Sequence, residues 1–271
     1  MTLATGDLTT VSRVKQWLGI ADSDTGSDSL LASLITSASR FVFGHISLTS
    51  VIVQEYEENY DGYGQNFMLL KKWPALSIAS INFCGLSITA EATGNPRTNG
   101  YFLSPADDIN MGPQRLRLFG YCFPKGRNLV DITYTAGFGQ YDEAATVPAT
   151  PFQVTTAKSW ASNIAVTYAN GDAMTEVASA PTVGQYSVSS TGVYTFAAAD
   201  EGEAVLISYS YVPADLEQVV TELVAEAVRY KDRIGVKSKT LGGQETIVYD
   251  NLFKTDRIQA LLGPFTRVAP I

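Results

Sequence analysis

The stretch from Val212 to Ile271 most constrains what this chain can fold into. Leu216, Val219, Val220, Leu223, Val224, Ala227, Tyr230 and Ile234 recur at three- and four-residue steps. That spacing predicts one face of an amphipathic helix, and a stripe this long needs a matching apolar surface elsewhere in the chain. Asp215 is placed to cap the helix, with Gln218 three residues on to reach back, a variant of the capping box. Asp215, Glu217, Glu222 and Glu226 lie towards its start. Arg229, Lys231 and Arg233 lie towards its end, which complements the helix dipole. Gly235 is the natural stop. Lys237 to Tyr249 then reads as an arm hinged at Gly242–Gly243. A short helix follows, capped by Thr255 or Asp256, with Ile258, Leu261 and Leu262 as its apolar side. Gly263–Pro264 ends it, and Phe265 to Ile271 is mostly apolar.

The N-terminal end supplies two more helices. Thr9 or Thr10 caps a short one through Val11, Val14, Trp17 and Leu18, stopped by Gly19. A longer one starts near Asp28, with Leu30, Leu31, Leu34, Ile35, Ala38, Phe41 and Val42 on one face. Ser29, Ser33, Ser37 and Arg40 lie opposite.

From Ser47 the period changes to two. Val51 to Glu57 predicts a strand ending at the turn Tyr60 to Gly64. Further strands are expected around Ala75–Ile81 after Trp73–Pro74, Tyr101–Leu103, Arg115–Phe119 and Leu129–Tyr134. Between Val147-Pro148-Ala149 and Val212-Pro213-Ala214, about sixty residues intervene. Phe152–Thr156, Ile164–Tyr168, Gln185–Val188, Val193–Phe196 and Val205–Tyr211 read as short strands separated by turns such as Asn170-Gly171-Asp172 and Asp200-Glu201-Gly202. The fold class is therefore α+β: a small helical bundle plus a β-rich middle, residues 1–148 and 213–271, with an inserted small β-sandwich, residues 149–212.

The totals exclude several function classes. The net charge of −8 makes a nucleic-acid clamp a poor fit, because phosphate binding needs positive surface. Cys84 and Cys122 are the only cysteines, too few for a disulfide scaffold or a four-cysteine zinc site, and both are expected reduced and buried. The start of the chain lacks the features of a signal peptide, and no stretch reads as the roughly 18 apolar residues of a membrane span. The single histidine, His45, has no nucleophile elbow or second histidine to work with. No phosphate-binding glycine motif occurs. Asp107–Asp108 and Asp200-Glu201-Gly202-Glu203 lack calcium-loop spacing and read as solvated turns. No enzyme activity, cofactor or metal is expected.

Several of these features together resemble the head-to-tail connector (adaptor) proteins of tailed bacteriophages. They are Val14-Lys15-Gln16-Trp17-Leu18, the Trp73–Pro74 step, Asp131 to Phe138, and Val212-Pro213-Ala214-Asp215-Leu216. The basic helix end, the Lys237-Ser238 arm through Thr246-Ile247-Val248-Tyr249, and Pro264-Phe265-Thr266-Arg267-Val268 complete the set. The insert is similar to the immunoglobulin-like modules of phage structural proteins. The resemblance implies a virion protein, assembled in the host cytoplasm, that forms a homo-oligomeric ring, twelvefold by expectation. That ring would dock under the portal protein, join it to the tail or a stopper protein, and leave a channel through which DNA passes without tight binding. Phe265, Arg267, Val268, Pro270 and Ile271 are then the expected portal-docking residues, with packing on their own subunit as the alternative. Arg229, Lys231, Arg233, Lys237 and Lys239 are the expected subunit interface, with a DNA-facing role as the alternative. The rival of another class is a tail-associated binding module whose β insert recognises a host surface glycan.

Overall fold

The computed structural model describes residues 6–89, 99–104, 114–230, 238–241, 245–248 and 256–266. The chain divides into two compact units, one from Met1–Ser47 with Val212–Arg267, the other from Leu48–Tyr211.

The first unit is helical. Helix α1, Val11–Leu18, starts where Thr10 Oγ1 accepts the Arg13 N–H at 3.2 Å. It stops at Gly19, whose φ of 72° is left-handed. Helix α2 spans Asp28–Ile46 and α3 spans Ala214–Tyr230. Helix α3 begins two residues earlier than the capping pattern suggests. Its first bond runs from the Glu217 N–H to Pro213 O, at 3.0 Å. Asp215 therefore sits inside the first turn and favours the dipole instead of capping the end, while Gln218 donates to Glu222 at 2.7 Å.

Leu216, Val219, Val220, Leu223 and Val224 are buried, as their spacing requires, but burial stops at Ala225. Ala227 and Tyr230 are exposed, and Ile234 lies outside the described residues. The face of α2 also differs from expectation. Leu31, Ala32, Ile35, Ser39, Val42, Phe43 and Ile46 are buried, whereas Leu30 and Phe41 point outward at 52% and 45% exposure. A polar anchor selects this face: buried Ser39 Oγ accepts the Leu8 N–H at 3.0 Å. With apolar residues on both sides, α2 is long and apolar enough by composition to cross a membrane, which corrects the expectation that no stretch is. Trp17 of α1 is likewise exposed, and buried Lys15 takes its place, paired with Asp28 at 2.5 Å. Helix α4, Asp256–Leu262, is tied to α3 by Arg257–Glu222 at 2.8 Å.

The second unit holds the sheets. Strands β1 (Gln54–Gly62), β7 (Gly126–Ala136), β3 (Ala75–Phe83) and β4 (Leu86–Ile88) form one antiparallel sheet in that order. Strand β1 runs through the expected turn at Tyr60, because Tyr60 and Gly62 pair with Val130 and Gly126. Strands β2 (Phe67–Met68), β6 (Arg115–Phe119) and β5 (Gly100–Ser104) form a second sheet. Alternation on β7 buries Val130, Ile132, Tyr134 and Ala136. These pack with Ile81, Phe83, Leu116, Leu118 and Phe123 in one core.

The remaining strands make the β-sandwich. One sheet has the order β10 (Trp160–Tyr168), β14 (Ala204–Tyr211), β8 (Gly139–Thr146). The other has the order β11 (Thr175–Glu176), β12 (Gln185–Val188), β13 (Val193–Phe196), β9 (Gln153–Thr155). Val166, Tyr186, Tyr194, Phe196, Val205, Ile207 and Tyr209 fill the space between them. Strand β8, which precedes residue 149, has no fully buried residue and is an edge strand held by its pairing to β14. The ends of this module meet where the Tyr211 N–H donates to Phe138 O at 2.9 Å. Gly137 enters it at φ 138°, and a Cβ there would lie 2.6 Å from Ile52 O, so only glycine fits.

Both cysteines are free, as expected, but exposed rather than buried: Cys84 sits in the β3–β4 turn and Cys122 in the loop after β6.

Two outcomes are expected from this packing. Residues 138–212 expressed alone should fold, because both sheets and their shared core are complete within them, and should give a cooperative melt with dispersed amide NMR signals. Leu223→Ala in α3 should cost the full chain about 2–5 kcal/mol by denaturant melting.

Candidate functional site

The positions expected from sequence to carry assembly are placed as follows. Arg229 lies exposed at the last turn of α3, where a cation favours the helix dipole. Lys239 is in strand β15, Ser238–Leu241, which pairs with β16, Glu245–Val248, as a two-stranded hairpin. Lys231, Arg233, Lys237, Arg267, Val268, Pro270 and Ile271 lie outside the described residues. Phe265 is buried at 6% exposure in the short 3₁₀ turn after α4. It packs within its own chain, as the alternative of packing on its own subunit expects: Gly263–Pro264 ends α4 and turns the next residue inward.

Surfaces that the sequence did not single out are more prominent. On α2, Leu30, Leu34, Ala38, Phe41 and His45 fall at helical spacing along one flank of the buried face. Leu30, Phe41 and His45 are exposed and Leu34 and Ala38 half-buried, while the Phe41 ring stacks on His45 at 6.5 Å. Periodicity centred the core face too far towards this flank: Leu31, Ile35 and Val42 are buried as expected, whereas Leu30 and Phe41 are not.

A second feature is an open cleft of about 770 Å³ beside β1 and β2, which includes Asn59, Tyr60, Tyr63, Phe67 and Lys71 in its lining. Tyr60 joins its lining to a tyrosine–carboxylate network. The Tyr60 and Tyr134 hydroxyls both donate to Glu58 Oε2, at 2.5 and 2.7 Å. They accept the Lys71 and Lys72 backbone N–H groups at 2.8 and 2.9 Å. The Lys71 ammonium lies 4.5 Å from the centre of the Tyr60 ring. Burial, followed by the hydrogen bonds with the carboxylate, pushes the Tyr60 phenol well above its usual range. Burial does the same for Tyr134, followed by its bonds to Tyr60 and Glu58. In the sandwich, burial pushes Tyr194 up to about 12. The Lys71 and Lys72 ammonium groups donate to Asn59 O and Thr49 Oγ1 at 2.9 and 3.0 Å, and the network reads as a rigid support. Among the described residues, no three His, Cys, Asp or Glu side chains are grouped to hold a metal. His45 lies exposed on α2, and Asp107–Asp108 fall outside the described residues.

The raised phenols set an alkaline limit. Unfolded tyrosines release protons near pH 10, whereas the buried ones hold theirs to higher pH. The unfolded state therefore binds fewer protons above about pH 10, and stability falls there by about 1.4 kcal/mol per pH unit for each such phenol. Urea melts should show a flat midpoint from pH 8 to about 9.5 and a decline above it. A midpoint that holds through pH 11 would contradict the network as described.

No protein-family model and no curated protein matches the sequence. Solved structures with a similar chain path include the neck of an empty gene transfer agent (GTA) particle computed with C6 symmetry. It is 15% identical, with a TM-score of 0.43, covering 100% of this chain and 95% of that one. The neck of a native GTA particle computed with C12 symmetry is 12% identical, with a TM-score of 0.42 and the same coverage.

Proposed function

We propose that this chain is a structural virion protein that forms a ring in the neck of a tailed phage, joining the portal to the tail or to the next ring around a channel for DNA. The observation that carries this reading is the second apolar side of α2. A helix that buries Leu31, Ile35, Val42 and Ile46 and still presents Leu30 and Phe41 outward has surface left for another protein. A contact of this kind, repeated by a rotation that closes, builds a ring from one modest patch per subunit.

The order of elements supports the same reading. Two N-terminal helices, a β-rich region, α3 after Val212-Pro213-Ala214, a hairpin and a short helix follow the order on which the connector resemblance rests. Exposed Arg229, with Lys231, Arg233, Lys237 and Lys239 beyond it in sequence, would meet an acidic neighbour, which suits a chain of net charge −8. The same charge leaves few phosphate contacts, so DNA would pass without tight binding. Residues 267–271, without Phe265, would dock on the portal, with Arg267 pairing a carboxylate and Val268, Pro270 and Ile271 as apolar anchors. The sandwich would project from the ring as an immunoglobulin-like module. Twelve is the expected copy number.

Two variants test this. Leu30→Glu with Phe41→Glu replaces exposed apolar groups, so the melting free energy should move by only about 0.5 kcal/mol. Sedimentation velocity should nevertheless show loss of the ring, alone or on a portal. Deleting residues 267–271 should abolish capture by immobilised portal while the ring still forms. Normal assembly of the double variant would remove α2 as the contact.

A further inference from the structure

We propose that a cavity at one end of the β-sandwich binds an alkylammonium group through the Asp200 carboxylate. Asp200 lies in a 3₁₀ turn, Ala198–Asp200, and is 1% exposed. Its Oδ1 accepts the Tyr168 hydroxyl at 2.7 Å. Its Oδ2 is buried with no hydrogen-bond partner. Buried carboxylate oxygens are normally satisfied, because an unmatched one loses its hydration for nothing in return. Asp200 borders an open cavity of about 470 Å³, whose lining also carries Asp172 and Glu203 and contains no Lys, Arg or His. The missing partner is therefore a donor, and the surrounding charge favours a cation.

The geometry distinguishes an organic cation from a metal ion. Calcium or magnesium needs six or more oxygens drawn to one point, and among the described residues no three carboxylates are grouped to hold a metal. An ammonium carries three N–H donors that point apart, and it donates to oxygens spread around a rim. Val183, Ala199 and Ala204 supply apolar lining for the attached methylenes. The rim is fixed by backbone bonds: Tyr168 N–H to Asp172 O at 2.9 Å, and Glu203 N–H to Asp200 O at 3.0 Å. The Asp172 N–H donates to Asn170 Oδ1 at 2.9 Å, which holds the turn on the far side. The ammonium comes either from a free polyamine or from a lysine of a second copy of this chain. The sequence turn Asp200-Glu201-Gly202-Glu203 gains a role that its spacing alone did not provide.

The test titrates spermidine into the full-length protein by calorimetry at constant ionic strength, and follows association by sedimentation velocity without it. If the source is a free polyamine, binding is saturable, and Asp200→Asn weakens it by about tenfold or more, the loss expected for one charge-assisted bond. If the source is a lysine of a second copy, wild-type protein associates, and both Asp200→Asn and added spermidine reverse that association. Glu203→Gln, at an exposed position, should weaken either outcome less and keeps the test valid if Asp200→Asn fails to fold. Calcium binding tighter than spermidine would overturn the proposal. So would spermidine binding and association that are both absent, or both unchanged in the variants.

Discussion

The fold of the helical unit depends on the burial of α3. Leu216, Val219, Val220 and Val224 are fully enclosed, and the surfaces packed on α3 come from α1 and α2 at the other end of the chain and from α4. Each such side chain contributes roughly 1.5–3 kcal/mol relative to exposure. Thr9 and Thr221, 212 positions apart in sequence, lie with their hydroxyls 3.2 Å apart and fix the register of that packing. The whole β-rich region is thus a long excursion between two halves of one small bundle. Because this packing uses the apolar stripe of α3 up to Ala225, α3 keeps only its last turn free for assembly, and α2 becomes the helix with apolar area to spare.

Legibility in the sequence followed burial. The stripe on α3 was readable because its five core positions alternate cleanly with charged residues. Strands β6, β12 and β13 were readable to the residue, since β6 alternates Leu116 and Leu118 with arginines and the other two carry β-branched or aromatic side chains. Strand β8 was not. Gln140-Tyr141-Asp142-Glu143-Ala144-Ala145 lacks β-branched residues and carries a bulge, and its conformation is imposed by β14 through backbone bonds. The face of α2 was read only in part, with Leu31, Ile35 and Val42 placed inside correctly, because apolar residues extend onto a flank and period alone could not set its edge. Ser39 and the Leu8 amide made the choice, a long-range polar contact that no local window contains.

The candidate surfaces show the same division. The sequence pointed to charged and apolar residues near the C-terminus, and of these Phe265 belongs to the chain's own core. It did not point to the outer side of α2, nor to the unsatisfied oxygen of Asp200, because both depend on what the fold leaves uncovered. A residue's type states what it can do. Only its surroundings state whether that capacity is already used, as it is for the Glu58 carboxylate between Tyr60 and Tyr134.

The most direct measurement is single-particle electron microscopy of the purified chain mixed with the portal ring of the same particle. A closed ring of this protein, twelve copies by expectation, seated on one end of the portal with α2 of each copy against its neighbour, is the expected result. A monodisperse monomer that leaves the portal bare, or a ring in which α2 faces solvent, would contradict it.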